Sequence, residues 1–327
     1  MLSDLYAAIA RRRRERFARR PFLRRRLRHP VISIGNLAVG GRGKTPMAAL
    51  VARLLREAGE HPAILSRGYG RTEPVDGVVV VRDRAAIRAD LQRAGDEPLM
   101  LARQLPGVSV LVCEDRYLAG RLAEHHLGAT VHVLDDGLQH LQLDRDVDIV
   151  MVGHDDAANP VTLPTGRLRE PLDTLVVADA IVADPGVEIE TAGIPAPVFR
   201  ARRTQGDAVI EGGVFTSGPA FAVAGIANPS AFFAQLEASG HQLAGRQAFA
   251  DHHPYSERDL AGITAKARAA GASCVLTTEK DYVRLLPFRP FPLPVAVVPL
   301  TIEPAPLPEF HSWLIASLRA ARDIPGD

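Results

Sequence analysis

A glycine-rich loop that contains a lysine and a threonine lies near the start of the chain. Residues 31–50 read VISIGNLAVGGRGKTPMAAL, and Ala38 stands where the phosphate-loop pattern G-x-x-x-x-G-K-[ST] has its first glycine. In such a loop, backbone N–H groups surround phosphate oxygens, the lysine contacts the β- and γ-phosphates, and the threonine holds Mg²⁺. The competing interpretation is a tight turn with an exposed lysine. We expect a nucleotide site that consists of Gly40, Gly41, Arg42, Gly43, Lys44, Thr45 and Pro46.

A phosphate loop needs a carboxylate at the end of a neighbouring strand to organise the magnesium shell. Two pairs end apolar runs, Glu114-Asp115 after SVLVC and Asp135-Asp136 after ATVHVL. Solvation at a strand end explains either pair when it is taken alone. Given the loop upstream, the second pair is the better candidate, since the GLQH segment brings two more polar side chains to it, and Glu114 stays open as an alternative. Those two side chains are Gln139 and His140.

Two further clusters contain groups suited to acid–base chemistry. AGDEP sets Asp96 at the start of a predicted helix, where capping of the helix N-terminus is the competing role. FADHHPY places Asp251, His252 and His253 side by side, and an Asp-His pair can act as a general base. Two histidines in a loop are more often solvated than catalytic. A zinc site is not expected, because the sequence offers no third and fourth ligand at metal spacing.

Two arginine-containing loops are candidates for anion binding. SRGYGR follows a predicted strand and offers Arg67 and Arg71, and GRLREP offers Arg167 and Arg169 beside Glu170. Guanidinium groups bind phosphate oxygens with charge-assisted, often bidentate hydrogen bonds. A surface salt bridge is the competing interpretation of GRLREP.

Apolar runs alternate with helical patterns from Val31 onward. Strand-like runs such as PVISIGN, PAILSRG and ATVHVLDDG are separated by helix-like segments such as KTPMAALVARLLREAG. This alternation predicts a doubly wound, mainly parallel α/β sheet of the P-loop NTPase type over residues 31–203. Short extended pieces with glycines predict a two-stranded linker over 204–217. The rhythm then returns, and we expect a smaller α/β domain over 218–327.

The first thirty residues are strongly basic. They hold eleven arginines against Asp4 and Glu15, a charge of +9, so that the rest of the chain carries −8 of the net +1. A basic arm on an acidic body predicts an anionic partner, either nucleic acid or a membrane surface. Read as a helix, residues 1–30 place Leu2, Leu5 and Ile9 near one stripe among arginines, which suits an amphipathic segment lying on a membrane. A solvated basic helix is the equal alternative.

Composition narrows the class of protein. The 327 residues, 46% of them apolar, can bury a large core. No run approaches the eighteen or so apolar residues of a membrane-spanning helix, and a secretory signal is not expected. Cys113 and Cys274 show no metal-type spacing and suit a reducing compartment. A nucleic-acid-binding protein is disfavoured, because aromatic residues make up 5% and form no stacking platform among the arginines.

Seven motifs in register resemble those of the tetraacyldisaccharide 4'-kinase family, the lipid A 4'-kinases of Gram-negative bacteria. They are SIGNLAVGGRGKTP, LSRGYGR, GDEP, DDGLQH, GRLREP, DHHPY and TTEKDYVRL, between Val31 and about Leu285. The resemblance implies a variant phosphate loop in which the first glycine is not required. It also implies a kinase that uses ATP and Mg²⁺ to phosphorylate the 4'-hydroxyl of a tetraacyldisaccharide 1-phosphate, giving lipid IV-A.

The same resemblance implies roles for individual residues. Asp96 matches the family's candidate base for the attacking hydroxyl, and His252, with Asp251 beside it, matches the histidine that supports this base. The residues matched on the nucleotide and metal side are Lys44, Thr45, Asp135 and Asp136. Those expected on the substrate side are Arg67, Arg71, Gln139, His140, Arg169 and Glu170.

The implied substrate lies in the cytoplasmic leaflet of the inner membrane, which favours the membrane-surface interpretation of residues 1–30. We therefore expect a peripheral protein on the cytoplasmic face of the bacterial inner membrane, with a lipid substrate, no nucleic acid and no obligate protein partner. The competing class is a deviant-loop switch or partition ATPase, whose loop reads K-G-G-x-G-K-T. Here Val39 occupies the place of that signature lysine.

Overall fold

Two β-sheets, one of nine strands and one of six, organise the chain. The computed structural model describes residues 1–41, 43–73, 75–189, 193, 195–210, 213–214 and 218–323. Arg42 of the predicted nucleotide loop lies outside the described residues, as do positions 211–212 and 215–217 of the predicted linker. Across the described ranges, no helix is long and apolar enough to cross a membrane.

The larger sheet is mainly parallel. Its strands are β1 (Val31–Asn36), β2 (Pro62–Ser66), β3 (Val79–Arg82), β4 (Ser109–Val112), β5 (Val131–Asp135), β6 (Val147–Val152), β7 (Ala180–Ala183), β8 (Val198–Gln205) and β15 (Leu300–Ala305). From edge to edge they run β15-β8-β7-β6-β1-β5-β2-β4-β3, and the two edge strands pair antiparallel. Every residue of β1, β5 and β6 is buried, as expected for parallel strands that are covered on both faces.

Helices cover both faces of this sheet. They are α1 (Leu2–Arg19), α2 (Lys44–Glu57), α3 (Leu91–Ala94), α4 (Asp96–Gln104), α5 (Arg116–Leu127), α6 (His154–Ala158) and α10 (Leu307–Asp323), with 3-10 helices at Pro21–Leu23 and Leu172–Val177. On one face, Met47 of α2 packs in one apolar cluster with Leu101 of α4 and Phe310 of α10. On the other, Ala119 of α5 packs with Leu65 and other strand residues. The predicted doubly wound, mainly parallel sheet is confirmed.

The smaller sheet carries the second half of the chain. Its strands are β9 (Val209–Ile210), β10 (Gly213–Val214), β11 (Ala220–Ala224), β12 (Leu243–Ala248), β13 (Cys274–Thr278) and β14 (Val295–Val298), in the order β10-β9-β14-β13-β11-β12. Its helices are α7 (Pro229–Ala238), α8 (Glu257–Ala269) and α9 (Glu279–Leu285), followed by a 3-10 helix at Leu286–Phe288. The short β9–β10 pair expected as a linker belongs to this sheet, because β9 pairs with β14.

The end of the chain returns to the larger sheet, which differs from the expectation that 218–327 forms one domain. The apolar run PVAVVPLTI divides at Pro299, since β14 pairs with β13 whereas β15 pairs with β8. Helix α10 then packs Phe310, Leu314 and Leu318 into the core of the larger sheet. Apolar patterning predicts that a strand forms but not which strand it pairs with. We call the nine-stranded sheet with its helices the larger unit and the remainder the smaller unit.

The chain crosses between the units twice, and the crossings lie side by side. Residues 206–208 form the first crossing and Pro299 the second, and the Gly206 N–H donates to the Pro299 carbonyl over 2.9 Å. Helices α4 and α9 also meet, where Gln104 Nε2 donates to Glu279 Oε1 over 2.6 Å. This contact places the end of α4 in the larger unit against the start of α9 in the smaller one.

Candidate active site

Helix α2 begins inside the glycine-rich loop and presents its N-terminus beyond the end of β1. Gly43 has a φ of 80°, in the left-handed region that favours glycine, and a Cβ there would lie 2.3 Å from Ile302 Cδ1. Lys44 is the first helical residue, and Pro46 lies in the first turn, where a missing N–H costs no hydrogen bond. The remaining N–H groups of this turn form the arrangement that binds phosphate at helix N-termini.

Ala38 takes part in strand pairing rather than in the phosphate turn. It is fully buried and forms an antiparallel bridge with Leu168, and the Val39 N–H donates to the Arg167 carbonyl over 2.8 Å. A Cβ on Gly41, in contrast, would meet no atom within 4 Å. Hydrogen bonds to residues 167–168 therefore fix the start of the loop at Ala38 and Val39, whereas Gly41 has free space beside it. This pairing explains why a glycine is not needed at position 38.

Lys44 lies between the end of β1 and the acidic end of β5. Its Nζ donates to Asn36 Oδ1 over 2.9 Å and lies 3.5 Å from Asp136 Oδ1. Arg169 binds both carboxylate oxygens of Asp136, at 3.0 and 2.8 Å. Burial opposes ionisation of Asp136, but the Arg169 hydrogen bonds and the Lys44 charge lower its pKa. These cations keep Asp136 charged in the absence of a nucleotide.

Asp135 lies against the phosphate loop and has the surroundings of a cation ligand. Thr45 Oγ1 lies 3.2 Å from Asp135 Oδ2 and donates to this carboxylate. Burial raises the pKa of Asp135 to about 7, and the charges of Glu97 and Asp136 reinforce the rise. A divalent cation would relieve this repulsion. Among the described residues, no group of three or more His, Cys, Asp or Glu side chains could hold a metal ion.

Glu114, the alternative metal ligand, lies away from the phosphate loop. It follows β4, which is separated from β1 by β5 and β2, and its side chain is exposed. Three strand spacings correspond to about 14 Å. The neighbouring Asp115 caps α5 by accepting from the N–H groups of Tyr117 and Leu118. The 114–115 pair is therefore a strand end followed by a helix cap, and Asp135 is the carboxylate beside Thr45.

Asp96 and His252 meet across the two units. His252 Nδ1 donates to Asp96 Oδ2 over 2.9 Å, and Arg284 Nε donates to the same oxygen over 2.8 Å. Burial opposes ionisation of Asp96, but the His252 hydrogen bond and the charges of Lys280 and Arg284 lower its pKa to about 2. Asp96 is the first residue of α4 rather than its cap, since Gly95 occupies the cap position. The main partners of this carboxylate thus come from the smaller unit.

Glu97 joins the two centres. Its Oε1 lies 3.2 Å from Lys280 Nζ, beside His252, while its charge contributes to the raised pKa of Asp135. Glu97 therefore lies between the Asp96–His252 pair and the phosphate loop, and we call the space that these groups border the cleft. A hydroxyl that entered this cleft would have a carboxylate base on one side and a phosphate-binding turn on the other.

The residues expected on the substrate side differ in their exposure, their hydrogen bonds and their charge. Arg67 is exposed, whereas Arg71 is half-buried and donates to the Gly68 carbonyl. Gln139 Nε2 donates to the Asn36 carbonyl over 3.0 Å. Burial, with the charge of Arg116, lowers the pKa of His140 to about 4. His140 is thus neutral at physiological pH and offers an imidazole without a charge. Its Nε2 atom is buried and has no hydrogen-bond partner among the described residues.

Glu170 is paired rather than free. Arg14 of α1 donates to both of its oxygens, at 2.7 and 2.8 Å, and Glu170 is 4% exposed. In this structure Glu170 contacts the N-terminal helix, and its contact with the substrate stays a prediction. Asp251 accepts from the His252 N–H, and His253 stacks on Phe249. His253 belongs to the packing of the loop and not to the cleft.

Sequence reasoning missed four residues of the site. Asn36 ends the SIGN motif and contacts both Lys44 and Arg169. Lys280 and Arg284 come from TTEKDYVRL, which carried the family resemblance without a role for its charged side chains. The signal that could have found them is the spacing of four residues, which places both side chains on one face of a helix. Arg116, which is 7% exposed, gave no signal beyond its position after Glu114-Asp115.

A buried parallel strand, a lysine-containing turn at a helix N-terminus and a buried carboxylate on the adjacent strand define a nucleotide-dependent phosphotransferase of the P-loop class. The family model described as LpxK, tetraacyldisaccharide-1-P 4'-kinase, matches residues 1–319. The chain belongs to this family. Membership makes it a kinase, and the partition-type ATPase is not favoured.

Individual relatives agree with this assignment. The chain is 42% identical over 300 residues to a tetraacyldisaccharide 4'-kinase of Geobacter metallireducens, covering 88% of each chain. It is 36% identical to that of Syntrophus aciditrophicus, covering 88% of this chain and 84% of the relative. Among solved structures it is similar to LpxK from Aquifex aeolicus in complex with ATP, with a TM-score of 0.80, 30% identity and 97% of both chains covered.

Proposed function

We propose that the protein transfers the γ-phosphoryl group of ATP to the 4'-hydroxyl of tetraacyldisaccharide 1-phosphate and so forms lipid IV-A in lipid A biosynthesis. One observation carries the proposal beyond family membership. The Asp96–His252 contact of 2.9 Å, formed between the two units, lies in the same cleft as the phosphate loop. A phosphoryl donor and a base for an alcohol acceptor would therefore face each other.

The nucleotide would be held at the N-terminus of α2. The N–H groups of Gly43, Lys44 and Thr45 at the start of this helix would face the phosphates, and Lys44 lies where it can move from Asn36 and Asp136 to the β- and γ-phosphates. Thr45 and Asp135 would hold Mg²⁺, which neutralises charge on the phosphates when bound. Arg169, whose Nη2 lies 2.8 Å from Asp136 Oδ1, would stabilise the negative charge that develops on the transferred phosphoryl group.

The acceptor hydroxyl would be deprotonated by Asp96. As the bond between the hydroxyl oxygen and the γ-phosphorus forms, the bond from this phosphorus to the β–γ bridging oxygen breaks and the hydroxyl proton passes to the Asp96 carboxylate. The low pKa of Asp96 keeps this group ionised at pH 7. A weak base is sufficient, because the attacking hydroxyl loses its proton late in a loose phosphoryl transfer. Catalysis of such a transfer depends mostly on positioning and on stabilisation of charge.

The N-terminal helix would attach the enzyme to the cytoplasmic face of the inner membrane. Leu2, Leu5 and Ile9 are 66, 60 and 61% exposed, and Phe22 is 80% exposed on the following 3-10 helix. Arginines surround these side chains, as in helices that lie on anionic membranes. The Arg14–Glu170 pair holds the same helix beside the cleft. A substrate embedded in the membrane would thus reach the base without leaving the lipid.

The test is transfer of label from γ-labelled ATP to tetraacyldisaccharide 1-phosphate by the purified full chain, with Mg²⁺ and detergent. We expect labelled lipid with the wild type. Asp96→Asn should lower kcat by about 10²- to 10⁴-fold and leave ATP binding intact, because only the proton acceptor is lost. Asp76→Asn, at an exposed turn, is the matched control and should retain full activity. Unlabelled lipid with ATP-binding wild type would refute the proposal, and loss of ATP binding in Asp96→Asn would make Asp96 structural.

A further inference from the structure

Helix α9 delivers two cations to the Asp96–His252 pair from the TTEKDYVRL motif. Lys280 and Arg284 are four residues apart and share one face of the helix. Lys280 reaches the imidazole of His252, and Arg284 reaches the carboxylate of Asp96. The base and its supporting histidine are therefore both held by the same turn of the smaller unit.

Lys280 contacts the side of His252 that faces away from Asp96. Its Nζ lies 2.8 Å from His252 Nε2 and 3.2 Å from Glu97 Oε1, and its side chain is 17% exposed. The other charged group near this nitrogen is Asp251, whose Oδ1 lies 4.0 Å from Nε2 and 3.6 Å from Lys280 Nζ. The edge contact with the Tyr69 ring brings no charge. Each ring nitrogen of His252 thus has its own partner.

The chemistry of these partners decides where the imidazole proton lies. An ammonium group has three donors and no acceptor, so a hydrogen bond between Lys280 and Nε2 requires a lone pair on Nε2. The proton then lies on Nδ1 and is donated to Asp96. In the imidazolium form an N–H would point at the ammonium group. We propose that Lys280 is a positioning residue that fixes His252 as the neutral tautomer protonated on Nδ1, which keeps Asp96 oriented as the base.

Arg284 has a different task. It is 6% exposed and held by Asp281 Oδ1 at 3.0 Å and by the Gly225 carbonyl at 2.9 Å. This anchored guanidinium binds Asp96 whichever tautomer His252 adopts. Removal of the Lys280 ammonium should therefore change the proton on His252 without displacing Asp96. The predicted consequence is a fall in kcat with an unchanged KM for ATP, because a His252 that is protonated on both nitrogens forms an ion pair with Asp96 and makes this carboxylate a poorer proton acceptor.

The proposal rests on the proposed role of Asp96, but its test does not depend on activity. The full chain is labelled with ¹⁵N-histidine, and His252 among the eleven histidines is identified by the signals lost in His252→Gln. Long-range ¹H–¹⁵N correlation at pH 7 then reports which ring nitrogen is protonated. We expect a protonated Nδ1 and an unprotonated Nε2 in the wild type. Lys280→Met should add a proton to Nε2 while Nδ1 stays protonated, because the Asp96 carboxylate still accepts from Nδ1. Lys280→Arg should preserve the wild-type pattern, since guanidinium also only donates.

Lys266→Met is the matched control. Lys266 is an exposed lysine of the same unit that binds Gln247, so this variant should leave the His252 pattern and kcat unchanged. In Lys280→Met we expect kcat to fall about tenfold or more, with Lys280→Arg restoring part of the loss. A protonated Nε2 in the wild type, or an unprotonated Nε2 in folded Lys280→Met, would overturn the proposal. If the tautomers behave as expected but no lipid is phosphorylated, the proposed function fails and the tautomer assignment stands.

Discussion

Asp96 and Asp135 lie in one cleft, yet their surroundings move their pKa values in opposite directions. Burial opposes ionisation of both groups. At Asp96 the His252 hydrogen bond and two nearby cations outweigh burial, and the pKa is about 2. At Asp135 the charges of Glu97 and Asp136 add to burial, and the pKa is about 7. Such a separation assigns different tasks, because Asp96 remains an anion that can accept a proton while Asp135 requires a cation to be fully charged.

We predict that Asp135→Asn stabilises the protein in the absence of nucleotide and metal. The folded-state pKa of Asp135 lies above its ordinary value of 3.8. The wild type therefore loses stability as the pH rises from about 4 to about 7, by up to about 1.4 kcal/mol per pH unit. Asparagine does not titrate, so the gain in Tm should be largest above pH 7 and should shrink towards pH 4. Thermal unfolding in EDTA between pH 4.5 and 8.5 measures this.

Asp136→Asn is the matched control for that experiment. Arg169 and Lys44 lower the pKa of Asp136, so its ionised form stabilises the fold and the asparagine variant should lose stability across the same pH range. Opposite signs at adjacent residues are difficult to produce by a general effect of the substitution. A Tm gain for Asp135→Asn that does not depend on pH would contradict the electrostatic account.

Local sequence motifs predicted those site residues whose structural context is formed by the adjacent segments of the chain. Lys44 and Thr45 could be predicted because a strand, a glycine-rich turn and a helix follow one another directly. Lys280 and Arg284 could not be given a role, since their partners Asp96 and His252 lie in other segments and the contact depends on how α9 packs against α4. The pairing of Glu170 with Arg14 was missed for the same reason, since the two residues are 156 positions apart in the sequence.

At the scale of elements, helix α1 has one face that binds the larger unit and another apolar face that is exposed to solvent. Arg11, Arg13 and Arg14 face the larger unit and bind Asp173, the Gln139 carbonyl and Glu170. Leu2, Leu5 and Ile9 point away from it into solvent. The docked face explains why the helix forms next to the cleft, and the exposed apolar face has no packing role within the described residues. Such division is expected of a helix that lies between a protein and a membrane.

We predict that replacing Leu5 and Ile9 by glutamine weakens binding to membranes. Burial of each aliphatic side chain contributes about 1.5–3 kcal/mol, so the double variant should bind anionic phospholipid vesicles at least about tenfold more weakly. Co-sedimentation with vesicles that contain an anionic lipid measures the change. The docking arginines are untouched, so kinase activity on detergent-dispersed substrate should be retained.

The control for the helix variant replaces two exposed apolar residues elsewhere. Ile87 and Val209 are 36 and 47% exposed and lie on neither α1 nor the 3-10 helix after it. Ile87→Gln with Val209→Gln should bind vesicles as the wild type does. Equal vesicle binding by all three proteins would show that the apolar face of α1 is not the membrane-binding surface.

At the scale of the whole molecule, two adjacent chain crossings join the two units. Asp96 of the larger unit also contacts His252 and Arg284 of the smaller one. The sequence predicted both α/β sheets, because strand and helix patterns are local properties of the chain. It did not predict that β15 and α10 return to the larger unit, since the pairing of β15 with β8 joins segments almost a hundred residues apart. The smaller unit is therefore an insertion between β8 and β15, and its two ends lie side by side where Gly206 donates to the Pro299 carbonyl.

Helix α10 should contribute to the stability of the unit that binds the nucleotide. Phe310 is fully buried and packs edge-on against Phe199 of β8, with ring centroids 5.2 Å apart. Phe310→Ala should lower the free energy of unfolding by about 3–5 kcal/mol, whereas Phe22→Ala, at a residue 80% exposed, should change it little. Trp313, the single tryptophan, lies on α10 and reports this unfolding by fluorescence. Because a ligand stabilises only the unit that binds it, Mg²⁺-ATP should move the Trp313 transition to higher urea. If the urea midpoint of the Trp313 transition did not change with Mg²⁺-ATP, in protein that binds this ligand, α10 would lie outside the nucleotide-binding unit.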